Sequence, residues 1–212
     1  MPTIPLHLLI AGYTIGYFPM GAEGSDVDID WHNPARRGIL PLDTFRVPRR
    51  LRRAVRRGEF SATMNADFSA VIVNCSERTS TWINRSIITS YEQLHQAGLA
   101  HSVEVWASGQ HVGGLYGVAL NGAFFGESMY SRSPMASQVA LIHLVDHLRR
   151  TGFRLLDIQF ISSHLQRFGA QEISRHAFLN ALQDALAANS LLTSQKFDGD
   201  SVSALQRISQ IS

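Results

Sequence analysis

Three runs between residues 102 and 130 carry apolar residues at strand spacing and read as consecutive β-strands, over 102–106, 111–120 and 123–130. Ser108-Gly109 and Asn121-Gly122 interrupt them, and Asn-Gly between apolar runs predicts a two-residue hairpin turn of type I′. A helical pattern follows over about 134–150, closed by Gly152, and residues 154–160 return to strand character. Upstream, the pattern predicts a short strand over 38–42, a helix entered at Pro48 and running over 49–57, a strand over 60–64, and helices over 67–75 and 87–97. Downstream it predicts helices near 164–168 and 174–188. Residues 1–35, rich in Gly, Pro and aromatics, read as a small irregular subdomain, and residues 36–190 as the main domain. Residues 191–212 read as a polar tail without periodicity, either a loosely attached helix or disorder. The expected class is α+β around one mixed, largely antiparallel central sheet.

Composition narrows the function classes. The chain has 212 residues, 45% hydrophobic and 17% charged, which is enough apolar content for a real core and excludes a mainly disordered protein. A single cysteine, Cys75, excludes an internal disulfide framework and a Cys-based zinc finger, and favours a reducing compartment. The uncharged stretch 1–22 lacks a basic leader and is broken by Pro2, Pro5 and Pro19. It makes a poor signal peptide or membrane span, so a soluble cytoplasmic protein is expected.

The net charge of +2 conceals an uneven distribution. Residues 36–57 hold nine arginines and one acid, Asp43, so this window carries +8 and the remainder −6. Lys196 is the only lysine. On a helix Arg49, Arg53 and Arg56 share a face, and Arg52 stacks on Arg56 at i,i+4, where like charges repel. A phosphate-bearing partner relieves that repulsion, which favours a nucleic acid over an ordinary solvated face.

Other candidate groups lie in the strands. Within 155–160, Asp157 and Gln159 are expected on one face and Leu156, Ile158 and Phe160 on the other. An acid and an amide side by side among apolar neighbours form either a structural polar pair or a site in which the carboxylate orients the amide. Glu127 stands in an otherwise uncharged strand, so it is an edge residue or a site group. Gly113, Gly114 and Gly117 imply close approach of a backbone or ligand, or a bulge. His143 and His147 have metal-compatible i,i+4 spacing, but no third ligand is evident, and surface or capping roles are favoured. Cys75 reads as a small helix-face residue.

A hairpin, a long helix and then a parallel strand is also the assembly of the acyl-CoA N-acetyltransferase sheet. The Gly-rich loop that cradles a CoA pyrophosphate in those enzymes is not matched by Ser131-Arg132-Ser133-Pro134-Met135-Ala136-Ser137, which disfavours a CoA donor. Several segments together resemble the bacterial leucyl/phenylalanyl-tRNA–protein transferases. They are Gly16-Tyr17-Phe18-Pro19, Thr81-Trp82-Ile83, His101-Ser102-Val103-Glu104-Val105-Trp106, Val112-Gly113-Gly114-Leu115-Tyr116-Gly117-Val118, Phe125-Gly126-Glu127-Ser128-Met129-Tyr130-Ser131-Arg132 and Leu156-Asp157-Ile158-Gln159. The resemblance runs in order from about residue 8 to 182.

This resemblance implies a small N-terminal domain on an acetyltransferase-like domain. It implies transfer of Leu, Phe or sometimes Met from aminoacyl-tRNA to proteins beginning with Arg or Lys, in the N-end degradation pathway, with neither metal nor cofactor. By the same resemblance Asp157 polarises and orients Gln159, whose carbonyl oxygen receives the amine hydrogen. Trp82 and Tyr91 contact the terminal adenosine or its amino acid, Leu115 and Met129 line the side-chain pocket, and Glu127 lies near the substrate amino group or the basic acceptor terminus. Arg49, Arg52, Arg53 and Arg56 are then the expected tRNA phosphate contacts, and a monomer is expected. Two departures stand out: Met20 replaces an aromatic often found there, and Trp31-His32-Asn33-Pro34 replaces a common Trp-Trp-Ser-Pro. An acetyl-CoA-dependent N-acetyltransferase and a non-catalytic tRNA-binding module are the alternatives.

Overall fold

The computed structural model describes residues 3–78 and 81–210. The predicted N-terminal subdomain and tail also take in residues 1–2 and 211–212, which lie outside the described residues. The chain opens with helix α1 (Leu6–Thr14) and strands β1 (Phe18–Gly21), β2 (Ile29–His32) and β3 (Arg36–Ile39), then α2 (Arg49–Val55) and β4 (Ser61–Met64). Helices α3 (Phe68–Ser76) and α4 (Arg85–Gln96) lead into the meander β5 (Ala100–Ala107), β6 (Gln110–Leu120) and β7 (Ala123–Ser131). Helix α5 (Ala136–Arg150), strand β8 (Leu155–Gln159), the single turn α6 (Ser163–Gln166), β9 (Gln171–Ser174), α7 (Arg175–Leu186) and α8 (Ser201–Gln210) complete it.

Side-chain caps fix several helix starts. Asp67 accepts from the Ala70 N–H, Asn84 from Ile87, Ser162 from Leu165 and Ser174 from Ala177, each satisfying a donor that a helix cannot pair internally.

The seven-stranded sheet has the order β4-β5-β6-β7-β8-β3-β9. Every pairing is antiparallel except β7 with β8, and β1 and β2 form a separate hairpin. The α+β class with a large, mostly antiparallel sheet is therefore observed. Apolar side chains cover both faces of the sheet. Leu115, Phe124 and Leu156 pack with α2, α5 and α8, while Tyr116, Phe125 and Leu155 pack with α1, α3, α4 and α7. Leu9, Tyr13 and Phe18, from the first 35 residues, are buried in this second cluster.

Three details depart from the sequence reading. The strand expected over 38–42 runs instead over Arg36–Ile39, and Leu40 and Leu42 continue into the core beyond it. Strand β9 went unpredicted because Gln171-Glu172-Ile173-Ser174 has no apolar alternation; it is an exposed edge held only by β3. The tail is not loose: α8 buries Ala204, Leu205 and Ile208, and Arg207 binds Asp146 of α5 through both carboxylate oxygens at 2.7 and 2.8 Å. Gly199 and Asp200 also pair with Ala62 and Ser61, closing the outer edge of β4.

The type I′ expectation also changes place. Ser108 and Gly109 both have positive φ, at 50° and 73°, as that turn requires. In the β6–β7 turn Asn121 is left-handed at φ 49°, and Gly122 is not among the positive-φ residues. Gly122 serves close packing instead, since a Cβ there would lie 2.7 Å from the Ala185 carbonyl oxygen.

Candidate active site

The site forms where two neighbouring strands part. The parallel ladder between β7 and β8 holds only for Ala123–Phe125 against Leu155–Asp157, and then the strands separate. The β6–β7 register shifts at the same level. Gly117 pairs with Gly126 and Tyr116 with Ser128, leaving Glu127 as the extra residue of a bulge. The bulge turns the strand over, which is why Phe124 and Met129, five residues apart, face the same side. Glu127 is thus neither an edge residue nor a strand-face residue; the bulge aims it inward. Gly117 is required there, because a Cβ would lie 2.3 Å from the Phe125 carbonyl oxygen and 2.4 Å from the Phe124 ring. Gly117→Ala is expected to lower stability by about 1–3 kcal/mol through overpacking; unchanged urea unfolding would show that the bulge can relax.

The Glu127 carboxylate is the hub of a polar network. It accepts from the Tyr13 hydroxyl at 2.7 Å, the Tyr91 hydroxyl at 3.1 Å and the Gln159 Nε2 at 3.3 Å, and the two phenols touch each other. Burial pushes its pKa up to about 8; the neighbouring Asp157 charge adds to this, and the Tyr13 and Tyr91 donors and Arg37 partly oppose it. Burial likewise raises both phenols well above the ordinary tyrosine range. A carboxyl whose folded pKa is raised holds its proton in the folded state where the unfolded chain has lost it. Stability from Glu127 is therefore fully present below pH 4.5 and declines as pH rises to about 8. Comparing wild type with Glu127→Gln in urea melts across pH 5–9 should show the stability difference changing over that window. A difference independent of pH would refute the shift.

Asp157 is entirely buried on β8. Its Oδ1 accepts from Arg37 Nε at 2.9 Å and from the Gln159 backbone N–H at 2.9 Å, and its Oδ2 accepts from Arg37 Nη2 at 2.6 Å. The two residues are therefore not a same-face strand pair. Gln159 ends the strand with φ 53°, in the left-handed region, and Asp157 grips its main chain rather than its amide. With its Nε2 on Glu127, the Gln159 carbonyl oxygen has no donor among the described residues.

Above this polar floor lies a cavity of about 240 Å³. Leu115, Met129, Leu141, Leu144, Leu156 and Leu165 supply most of its apolar wall; Trp82, Arg78, Glu127 and Gln159 also line it. Five of the expected site residues, Trp82, Leu115, Met129, Glu127 and Gln159, thus come together on one cavity. Tyr91 does not line it: the ring is fully buried behind Glu127 and reaches the cavity only through that carboxylate.

The family model described as leucyl/phenylalanyl-tRNA protein transferase matches residues 39–183. The chain belongs to this family. A leucyl/phenylalanyl-tRNA–protein transferase of Paramagnetospirillum magneticum is 51% identical over 191 residues, covering 88% of this chain and 91% of its own. One from Ruegeria pomeroyi is 49% identical over 184 residues, covering 87% and 88%. One from Cereibacter sphaeroides is 45% identical over 211 residues, covering 100% and 99%. The family match contains all the expected site residues but stops short of Tyr13 and Arg37, two members of the network.

Arg49, Arg52, Arg53 and Arg56 line a groove with Val47 that shares no residue with the cavity. Arg52 is partly tied down, donating to the Val47 carbonyl at 3.2 Å. The other candidates are structural. His143 and His147 are buried, not on the surface, and fasten the tail: His143 contacts the Asp198 carbonyl and the Ser201 hydroxyl, and His147 the Leu192 carbonyl. Burial lowers His143 to about 4. Burial raises the Cys75 thiol to about 12, well away from a nucleophile's range. Among the described residues no three His, Cys, Asp or Glu side chains are grouped to hold a metal, and no helix is long and apolar enough to cross a membrane.

Proposed function

We propose that this aminoacyltransferase moves leucine or phenylalanine, and methionine with them, from the 3′ end of charged tRNA to proteins beginning with Arg or Lys. The observation that carries this reading is the Gln159 carbonyl oxygen, unpaired at the floor of a leucine- and methionine-lined cavity. The apolar wall suits a side chain unbranched at its β-carbon, aliphatic or aromatic, and flexible Met129 tolerates both. The ribose oxygen of the ester is already a serviceable leaving group. The acceptor's neutral α-amine attacks the ester carbonyl, a C–N bond forms, and the C–O bond to the ribose breaks. Gln159 accepts the amine N–H as a hydrogen bond and holds the lone pair in line, and the proton leaves with the ribose oxygen. Asp157 orients Gln159. Glu127, lining the same cavity, holds the incoming amino group or the basic acceptor terminus by hydrogen bonding.

Trp82, on the cavity wall, supplies a face for the terminal adenosine, and the groove of Arg49, Arg52, Arg53 and Arg56 takes tRNA phosphates. With this reading goes an acetyltransferase-like domain over 36–190 behind a small N-terminal subdomain over 1–35; the parting of β7 from β8 supports it. A monomer acting in the cytoplasm and feeding N-end-dependent degradation completes the proposal. The test offers an Arg-starting peptide with Leu-, Phe-, Met- and Val-tRNA, each labelled on the amino acid. Label should pass from the first three and poorly from the fourth. No transfer from Leu- or Phe-tRNA would refute the reading.

A further inference from the structure

Of the nine arginines in the basic run, Arg37 alone is buried, with only 1% of its surface exposed. Its guanidinium joins three segments distant from it in sequence. Nε and Nη2 grip both oxygens of Asp157 on β8, and Nη1 donates to the Gly16 carbonyl at 3.0 Å, just after α1. Its guanidinium carbon lies over the rings of both Phe18 on β1 and Phe178 on α7, 4.4 Å from each centroid. A planar fork that pairs at its edge and stacks on aromatic rings is chemistry that arginine performs and lysine does not. Asp157 Oδ1 has two donors, Arg37 Nε and the Gln159 N–H, so fixing the carboxylate also fixes the turn that places the Gln159 amide.

We propose that Arg37 is a positioning residue for aminoacyl transfer, acting through Asp157 to hold the Gln159 turn in its left-handed form. This rests on the transfer reading above. The cation sits in the core and neither lines the cavity nor joins the arginine groove, so it has no route to tRNA phosphates or to the reacting atoms. Its effect therefore belongs in kcat, with KM for charged tRNA unchanged.

The test is a kinetic double-mutant cycle with Arg37→Met, Asp157→Asn and the double variant, alongside tRNA binding and thermal melts. Each single variant is expected to lose about 100-fold in kcat, the scale of a small misplacement at the reacting centre, with KM within about threefold. The double variant is expected to lose about 100-fold too, where independent action would give about 10⁴-fold. If Arg37→Met does not fold, the comparison of Asp157→Asn with the double variant still decides, because the double buries no unpaired charge; the two should share one kcat within about threefold. A further loss of tenfold or more in the double, or an effect on KM or tRNA affinity in place of kcat, would overturn the proposal. Wild type that transfers nothing from charged tRNA would instead refute the functional reading itself.

Discussion

Asp157→Ala should cut kcat for transfer by about a hundredfold or more, the scale of a misplacement at the reacting centre, and lower stability by about 3–5 kcal/mol. The second effect follows from what the substitution leaves behind. Arg37 stays enclosed by two phenylalanine rings with one backbone carbonyl as its remaining hydrogen-bond partner, and an uncompensated buried charge is far costlier than a lost surface pair. Against a typical total of about 5–15 kcal/mol, this takes a large share of the folded state's margin. Urea unfolding at low temperature, with kcat measured where the variant is demonstrably folded, separates the two losses. An Ala variant as stable as wild type would mean that Arg37 finds water or another partner, and that the ion pair is not what holds the turn.

The second large effect is on nucleic-acid binding. Reversing Arg49, Arg53 and Arg56 to Glu replaces three exposed positive charges on α2 and at its C-cap with three negative ones. Affinity for tRNA is expected to fall about 100-fold or more near 0.1 M salt, and the slope of log K against log salt to flatten by about 2 to 3. The helix should stay folded, because Leu51 and Val55 provide its packing and are untouched. Filter binding across a salt series reads both quantities. Unchanged affinity and slope would remove α2 from the tRNA path.

The sequence made the meander, α5 and β8 legible because their apolar periods are long and their turns carry Gly or Asn. It made Glu127 legible for the opposite reason, as a single charge in an apolar strand. The relation between Asp157 and Gln159 was misleading: strand alternation put both on one face, whereas Gln159 leaves the strand with a positive φ that no periodicity reveals. Arg37 was hidden among eight other arginines, where a charge run reads as solvated surface. Its burial depends on Phe18 and Phe178, aromatic partners 19 and 141 positions away. Tyr13 was equally obscure, an aromatic in an apolar helix whose hydroxyl meets Glu127 114 residues on. The tail escaped because its buried apolar positions, Ala204, Leu205 and Ile208, span only about one and a half turns.

The pairing of Gly199 and Asp200 with the outer edge of β4 gives the C-terminal residues a task unrelated to chemistry. An uncovered edge strand offers its free N–H and C=O groups to any other chain. A chain shortened before this segment would keep every cavity residue and every arginine of the groove, yet expose a template for strand-to-strand association. Its failure would include loss of solubility beyond the lost packing on α5, so residues 199–200 act as a safeguard against self-association.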